Sequence, residues 1–407
     1  MSARRLFPDT GKDLQAFLQA FSDHLQAVAP LKGKHRAVLH KGVAELSDLL
    51  TVHRDELPPD YMARPPLLAA YLHFFLPWNL VRQGRLLQGL GDLPAPGPSL
   101  RILDLGAGPA TFLLALWLAR PELRAREVAY TAVDRTEAPV RVGFDLFRRL
   151  APDSPWSLHF RPAGAGRRSP GPDRAADERA DLLVAANVLN EMPAGGGRQG
   201  GGRSGGDDEE ARAEAMLATW EKSVDSGGRV LVIEPGMRDA GRQLSRMRGQ
   251  ALARGWSVLA PCPHQGECPL PGTGRKAWCH FAFEAGGIPA WLDGLGRKAG
   301  LPKQRASLSF LLMGRRENTT GGEGGPGDLE LRVTSDAIEL PERRRGVYAC
   351  SARGLALLEL GDVPTPRQGD LVKVRVPDHP RRDKKSGALV IGAPETNPPG
   401  VPRSRKR

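Results

Sequence analysis

Residues 100–113 read "LRILDLGAGPATFL", and this stretch decides the fold. A mostly apolar stretch ends at Asp104, glycines stand at Gly106 and Gly108, and an apolar helical pattern opens behind Pro109. A buried strand that turns sharply into a helix has this form. Glycine lets the backbone turn and approach a ligand, and the helix start offers free N–H groups. A dinucleotide fingerprint G-x-G-x-x-G would need glycine at 111, where the chain has Thr111, so a nicotinamide cofactor is disfavoured. Outward from this loop the chain alternates. Strands are expected at "VAYTAVD", "SLHF", "ADLLVAANVLNEM" (ending in a polar loop) and "GGRVLVIEPG", helices at "APVRVGFDLFRRL" and "ARAEAMLATWEKSV", and an edge strand at 305–314. That βαβα rhythm predicts an α/β fold with a mostly parallel, doubly wound sheet.

The D-x-G-x-G form resembles the first motif of class I S-adenosylmethionine-dependent methyltransferases, with Ala110 where a third glycine is usual. Two further strand ends agree. Asp134 closes the second strand, where a carboxylate can accept ribose hydroxyls, and Asn187, Asn190 and Glu191 follow the fourth. Asp104, Gly106, Gly108, Asp134 and Asn187 are therefore the expected S-adenosylmethionine contacts. Asn190 and Glu191 are candidates for an acceptor pocket. No catalytic residue is identifiable, because no N-P-P-Y-type motif stands at the fourth strand.

Five segments are expected. They are a helical N-terminal region (1–98), the methyltransferase-like domain (99–314), a linker (315–328), a small β subdomain (329–378) and a basic flexible tail (379–407). The N-terminal region should hold two helices over 12–50 and a third from Pro65 and Pro66 to about Leu90, bent at Pro77. The glycine-rich inserts at 163–180 and 194–210 lack core-forming residues and should be flexible.

The 407 residues carry a formal net charge of +12, which favours a polyanionic partner such as nucleic acid. Residues 373–407 supply ten Lys/Arg against three acids, more than half of that excess. A tail that merely aids solubility is the plainer explanation. No apolar run reaches the ~20 residues a membrane span needs. The N-terminus lacks a hydrophobic signal core, so a cytoplasmic protein is expected, away from membranes.

All but one of the four cysteines lie in "PCPHQGECPLPGTGRKAWCHF", residues 261–281. Cys262, Cys268 and Cys279 have the spacing C-x5-C-x10-C, and Cys350 follows 71 residues later. Paired C-x2-C knuckles are thereby excluded. The spacing suits a metal site whose fourth ligand comes from another element. Soft thiolates suit iron–sulfur or zinc equally, and zinc could recruit His264 or His280. Trp278 and Phe281 are placed to shield such a site from water. Four unrelated buried thiols is the bland alternative.

The glycine loop, "NVLNEM", the cysteine–proline–histidine stretch and the late lone cysteine together resemble the small-ribosomal-subunit methyltransferase-like family. That family is best known as a mitochondrial ribosome assembly factor and has bacterial members. The resemblance spans about residues 35–376. It implies a [4Fe–4S] cluster on Cys262, Cys268, Cys279 and Cys350, and binding to the small ribosomal subunit and its rRNA; a monomer is expected off the ribosome. Two functions stay open. One is an assembly factor with a structural cluster. The other is an active rRNA methyltransferase with a structural zinc or iron–sulfur site.

Overall fold

The structure, a computed structural model, describes residues 4–53, 56–58, 60–91, 93, 97–163, 179–189, 205–315, 328–361, 363–377 and 379–392. Asn190, Glu191, most of the two inserts, the linker interior and the last fifteen residues lie outside the described residues.

The main sheet is built from β1 (Ser99–Leu105), β2 (Glu127–Asp134), β3 (Ser157–Pro162), β4 (Ala180–Ala186), β5 (Val224–Pro235), β6 (Trp256–Ala260), β7 (Phe281–Glu284) and β8 (Arg305–Arg315). Its order is β3-β2-β1-β4-β5-β8-β6, with β7 also on β8. The first five strands run parallel, and β8 runs antiparallel to β5, β6 and β7. The expected α/β, doubly wound, class I methyltransferase-like sheet is present. One expectation is corrected. The strand at 305–314 is not an edge. It inserts between β5 and β6, and residues 308–314 are buried without interruption, as an interior strand requires.

Helices cover both faces. On one lie α1 (Lys12–Gln19), α2 (Phe21–Val28), α5 (Leu76–Gly89), α6 (Thr111–Ala119) and α7 (Glu137–Leu150), around Phe112, Tyr130, Phe147 and Leu312. On the other, α8 (Gly205–Ser223) and α9 (Arg238–Ala253) pack Trp220 and Met247 onto Leu183 and Val232. Residues 12–51 form three helices rather than two. Ala20 breaks the first pair, and a segment holding Pro30 precedes α3 (Gly33–Thr51). The later helical region is α4 (Pro65–Ala70), a π-helical turn (Tyr71–Phe75) and then α5, with Pro77 in its first turn. A last helix, α10 (Ala290–Lys298), precedes β8. The second insert is also shorter than expected, since α8 begins at Gly205.

A second sheet holds β9 (Asp328–Val333), β10 (Ile338–Glu339), β11 (Arg345–Ser351), β12 (Gly354–Glu359), β13 (Leu371–Arg375) and β14 (Leu389–Ile391). The expected tail at 379–407 needs correction, because β14 pairs with β12 and residues 388–391 are buried. The charge on either side of "ALVI" masked a short aliphatic strand. The N-terminus joins this sheet too. Arg4 and Leu371 exchange backbone hydrogen bonds of 3.2 and 3.0 Å, and Phe7 stacks on Phe283, 4.8 Å between centroids.

Candidate functional site

In an open α/β sheet the ligand crevice lies at the carboxyl ends of the strands where the order reverses. Here that point falls between β1 and β4, and the turns that leave these strands carry the glycine loop and Asn187.

The glycine loop turns through three left-handed residues, Gly106 (φ 64°), Gly108 (φ 50°) and Ala110 (φ 49°). Glycine adopts this conformation freely, whereas Ala110 bears its Cβ penalty at the N-cap of α6. The Gly106 and Ala107 N–H groups both donate to the Val133 carbonyl, at 2.8 and 3.2 Å. Asp134 joins two turns: its carboxylate accepts from the Gly108 N–H at 2.8 Å and the Thr136 N–H at 3.1 Å. It is half-buried and keeps lone pairs for further donors.

Asp104, another of the expected cofactor contacts, lies deeper than Asp134. It is buried and takes the Tyr130 hydroxyl's hydrogen bond, on the sheet face that α6 and α7 cover. Burial pushes its carboxyl up to about 7, the Tyr130 bond opposes this, and the Asp134 charge adds to it.

Asn187 is left-handed (φ 61°), a conformation that Asn tolerates better than most residues. Its N–H donates to the Ile233 carbonyl at 2.7 Å. Two residues on, the Leu189 N–H donates to the buried Glu234 carboxylate at 2.8 Å. Between them Val188 leans over the loop, so that a Cβ on Gly106 would stand 2.7 Å from Val188 Cγ2. Met62, in the short helical turn Tyr61–Ala63, lies in contact range above Gly108. Sequence reasoning missed Tyr130, Glu234, Val188 and Met62. Glu234 had a signal, an acid closing the apolar run "VLVI" as Asp104 and Asp134 close theirs. Met62 had none, because nothing local ties it to a loop 46 residues away.

The cysteines come together from two sheets. Cys262 follows β6, Cys268 lies in the loop, Cys279 precedes β7 and Cys350 sits on β11. Burial pushes the Cys279 thiol well up, and charge on each of the other three thiols would push it further. The Cys262 and Cys350 thiols are raised by burial as well. Two guanidinium groups work against this. Arg248 donates to Cys262 Sγ at 3.2 Å and to the His264 carbonyl at 2.9 Å. Arg332, beside Cys350 in the β9–β11 ladder, donates to the Pro261 carbonyl at 2.8 Å. His264 Nε2 lies 3.1 Å from Cys350 Sγ, while the His280 ring stacks on Trp278 with 4.7 Å between centroids. Trp278 caps the loop through its indole N–H to the Gly236 carbonyl, 3.1 Å, and Phe281 is wholly buried in the core.

Among the described residues no group of three or more His, Cys, Asp or Glu side chains is arranged to hold a metal ion. The donor set nevertheless fits one in kind. Four free thiols lie within electrostatic reach of one another beside two arginines, and a cation would reverse the penalty on their ionisation. A roomy cleft, about 550 Å³, is at neither place. It opens between Phe7, β7 and the second sheet, and its Arg85, Arg305 and Arg367 are ion-paired to Asp9, Asp336 and Asp9. Among the described residues no helix is long and apolar enough to cross a membrane.

Residues 95–286 match the family model Rsm22, described as mitochondrial small ribosomal subunit Rsm22. No curated protein matches the sequence significantly. Among solved structures, the chain is similar to a putative class I S-adenosylmethionine-dependent methyltransferase from Listeria monocytogenes, at 11% identity over 76% of this chain and 88% of that one, TM-score 0.33. It is similar to an S-adenosylmethionine-dependent methyltransferase from Geobacter sulfurreducens in complex with S-adenosyl-L-homocysteine, at 13% identity over 58% and 90%, TM-score 0.31. TrmN from Thermus thermophilus gives 16% identity over 60% and 53%, TM-score 0.31. Likenesses this remote say nothing of activity.

Proposed function

We propose, from the premise that residues 95–286 are similar to the Rsm22 family of the mitochondrial small ribosomal subunit, that this chain is an assembly factor of the small subunit. It binds S-adenosylmethionine at the switch point and rRNA on its basic surfaces. The observation that carries this reading is that the family match spans the glycine loop, Asp134, the Asn187 turn and three of the four cysteines.

The residues divide the work. Gly106 and Gly108 let the backbone come close to the cofactor, and Asp134 accepts its ribose hydroxyls while holding the loop through the Gly108 N–H. The turn at 187–189, braced by Glu234, faces the reactive end. Cys262, Cys268, Cys279 and Cys350 would hold a [4Fe–4S] cluster, three thiolates coming from loops of the main sheet and one from the second sheet, so that the two sheets would be tied together. Arg248 and Arg332 ease ionisation of the thiols. The cluster's place is structural.

Two measurements test this. Protein purified without oxygen should carry about four irons and four sulfides per chain. One zinc and no sulfide would remove the cluster from the proposal. In cell extracts the protein should sediment with small-subunit precursors, and sedimentation only as the free protein would remove the assembly role.

A further inference from the structure

Two cations beside the π-helical turn, close enough to feel one another's charge, lack an acidic partner among the described residues. Arg82, on α5, donates to the neutral Asn79 Oδ1 at 2.6 Å, and its buried Nε has no partner. Lys303, in the α10–β8 connection, rests its ammonium over the rings of Phe74 and Trp78, 5.1 and 5.5 Å from their centroids. No carboxylate is among the groups that act on either charge. Burial pushes Arg82 down to about 10. Burial and then the Arg82 charge push Lys303 down to about 7. Two buried like charges without a counter-ion are costly unless an anion joins them.

The neighbouring helix repeats the imbalance. α3 opens with Lys32 at its N-cap and Lys34, His35 and Arg36 in its exposed first turn, with no acid there. The helix dipole disfavours cations at this end and favours an anion. Arg36 lies close enough to help lower the buried His73 to about 4, an effect led by burial. His73 and Phe74 are successive residues of the π-helical turn, so Arg36 and Lys303 act on neighbouring residues of the same turn. Such turns recur at functional sites.

We propose that Arg82 and Lys303, flanked by the basic first turn of α3, form a phosphate-binding site whose ligand is a phosphodiester of RNA. Arg82 supplies fixed N–H donors, Lys303 a point charge, and Phe74 and Trp78 a dry floor. The α3 cations then receive the next phosphates along the strand. As an RNA site it rests on the small-subunit reading, whereas a free phosphate would use the same two groups.

The test reads Lys303 directly. The full-length protein is treated with limiting amine-acylating reagent near neutral pH, and each lysine is followed by mass spectrometry. Samples are run alone, with inorganic phosphate, and with a single-stranded RNA oligonucleotide. RNA is expected to slow acylation of Lys303 by about fivefold or more, with exposed Lys222 on α8 as the unaffected reference. The exposed pair Lys34→Glu/Arg36→Glu, which leaves the core intact, should reduce RNA protection severalfold and spare phosphate protection. Protection by phosphate but not by RNA would overturn the RNA assignment. No protection by either would overturn the site. Absent protection alongside retained rRNA binding leaves the small-subunit reading standing, and failure of rRNA binding with phosphate protection intact does the reverse.

Discussion

The Asp134 carboxylate accepts the Gly108 N–H at 2.8 Å, tying the end of β2 to the glycine loop that follows β1. A single side chain thus shapes the loop, and in the proposed function it also accepts the ribose hydroxyls. Asp134→Asn keeps the size but removes the charge and one acceptor. A charge-assisted hydrogen bond contributes about 1.5–3 kcal/mol, so affinity for S-adenosylmethionine should fall roughly ten- to hundredfold in calorimetry. Unchanged affinity would place the ribose elsewhere.

Gly106 is constrained twice, by its φ of 64° and by Val188 Cγ2 at 2.7 Å from any added Cβ. Gly106→Ala should therefore cost about 1–3 kcal/mol of stability and most of the cofactor affinity. Gly106→Arg should abolish measurable binding. Val188→Ala in the Gly106→Ala background relieves the steric part alone and should restore part of the stability, read from denaturant midpoints. Absence of rescue would mean that φ dominates.

Asp104 sets a pH dependence. Its folded-state pKa, about 7, lies above the ordinary value of 3.8, so the folded chain binds a proton that the unfolded chain releases. Stability then falls as pH rises between about 4 and 7, and levels off above. Asp104→Asn keeps a partner for the Tyr130 hydroxyl and should flatten that slope, gaining stability on the order of a few kcal/mol at pH 8. Equal slopes for both proteins between pH 5 and 8 would show that Asp104 is ionised and satisfied in the fold.

How far the sequence was legible follows from which contacts are local. The strands up to β5, the loop at 104–108 and the acid at Asp134 each sit inside a short window of alternating apolar run and turn. The misplaced strand β8 could not be read so, because its neighbours β5 and β6 are fixed by antiparallel pairing across distant sequence. Arg4, joined to Leu371, and β14, joined to β12, escaped for the same reason. In the candidate site the cysteine spacing points to a partner from another element, and Cys350 stands on the second sheet. The hydrogen bond from Tyr130 to Asp104 was not legible, because no local pattern joins residues 26 positions apart.

Cys350 stands on β11 while the other three thiols belong to loops of the main sheet. If these four share a cluster, Cys350→Ser should lose iron and the coupling between sheets together, splitting one unfolding transition into two. Full iron retention would instead make His264, 3.1 Å from Cys350 Sγ, the replacement ligand. The metal-free protein should respond far less to the same change, since it loses only a buried thiol.

The strand β14 separates two truncations that charge alone would merge. Deleting residues 393–407 removes Arg403, Arg405, Lys406 and Arg407 but leaves the second sheet entire. Each phosphate no longer neutralised lowers the salt dependence of RNA binding by about 0.7–0.9 in log–log slope, so up to ~3 should disappear, with the melting temperature unchanged. Deleting from residue 379 also removes the buried residues 388–391 and should destabilise the sheet by several kcal/mol at about 25 cal/mol per Å² of apolar area. If the shorter deletion leaves the slope unaltered, the terminal cations serve solubility, and RNA binding must come from the folded surface that bears Lys34 and Arg36.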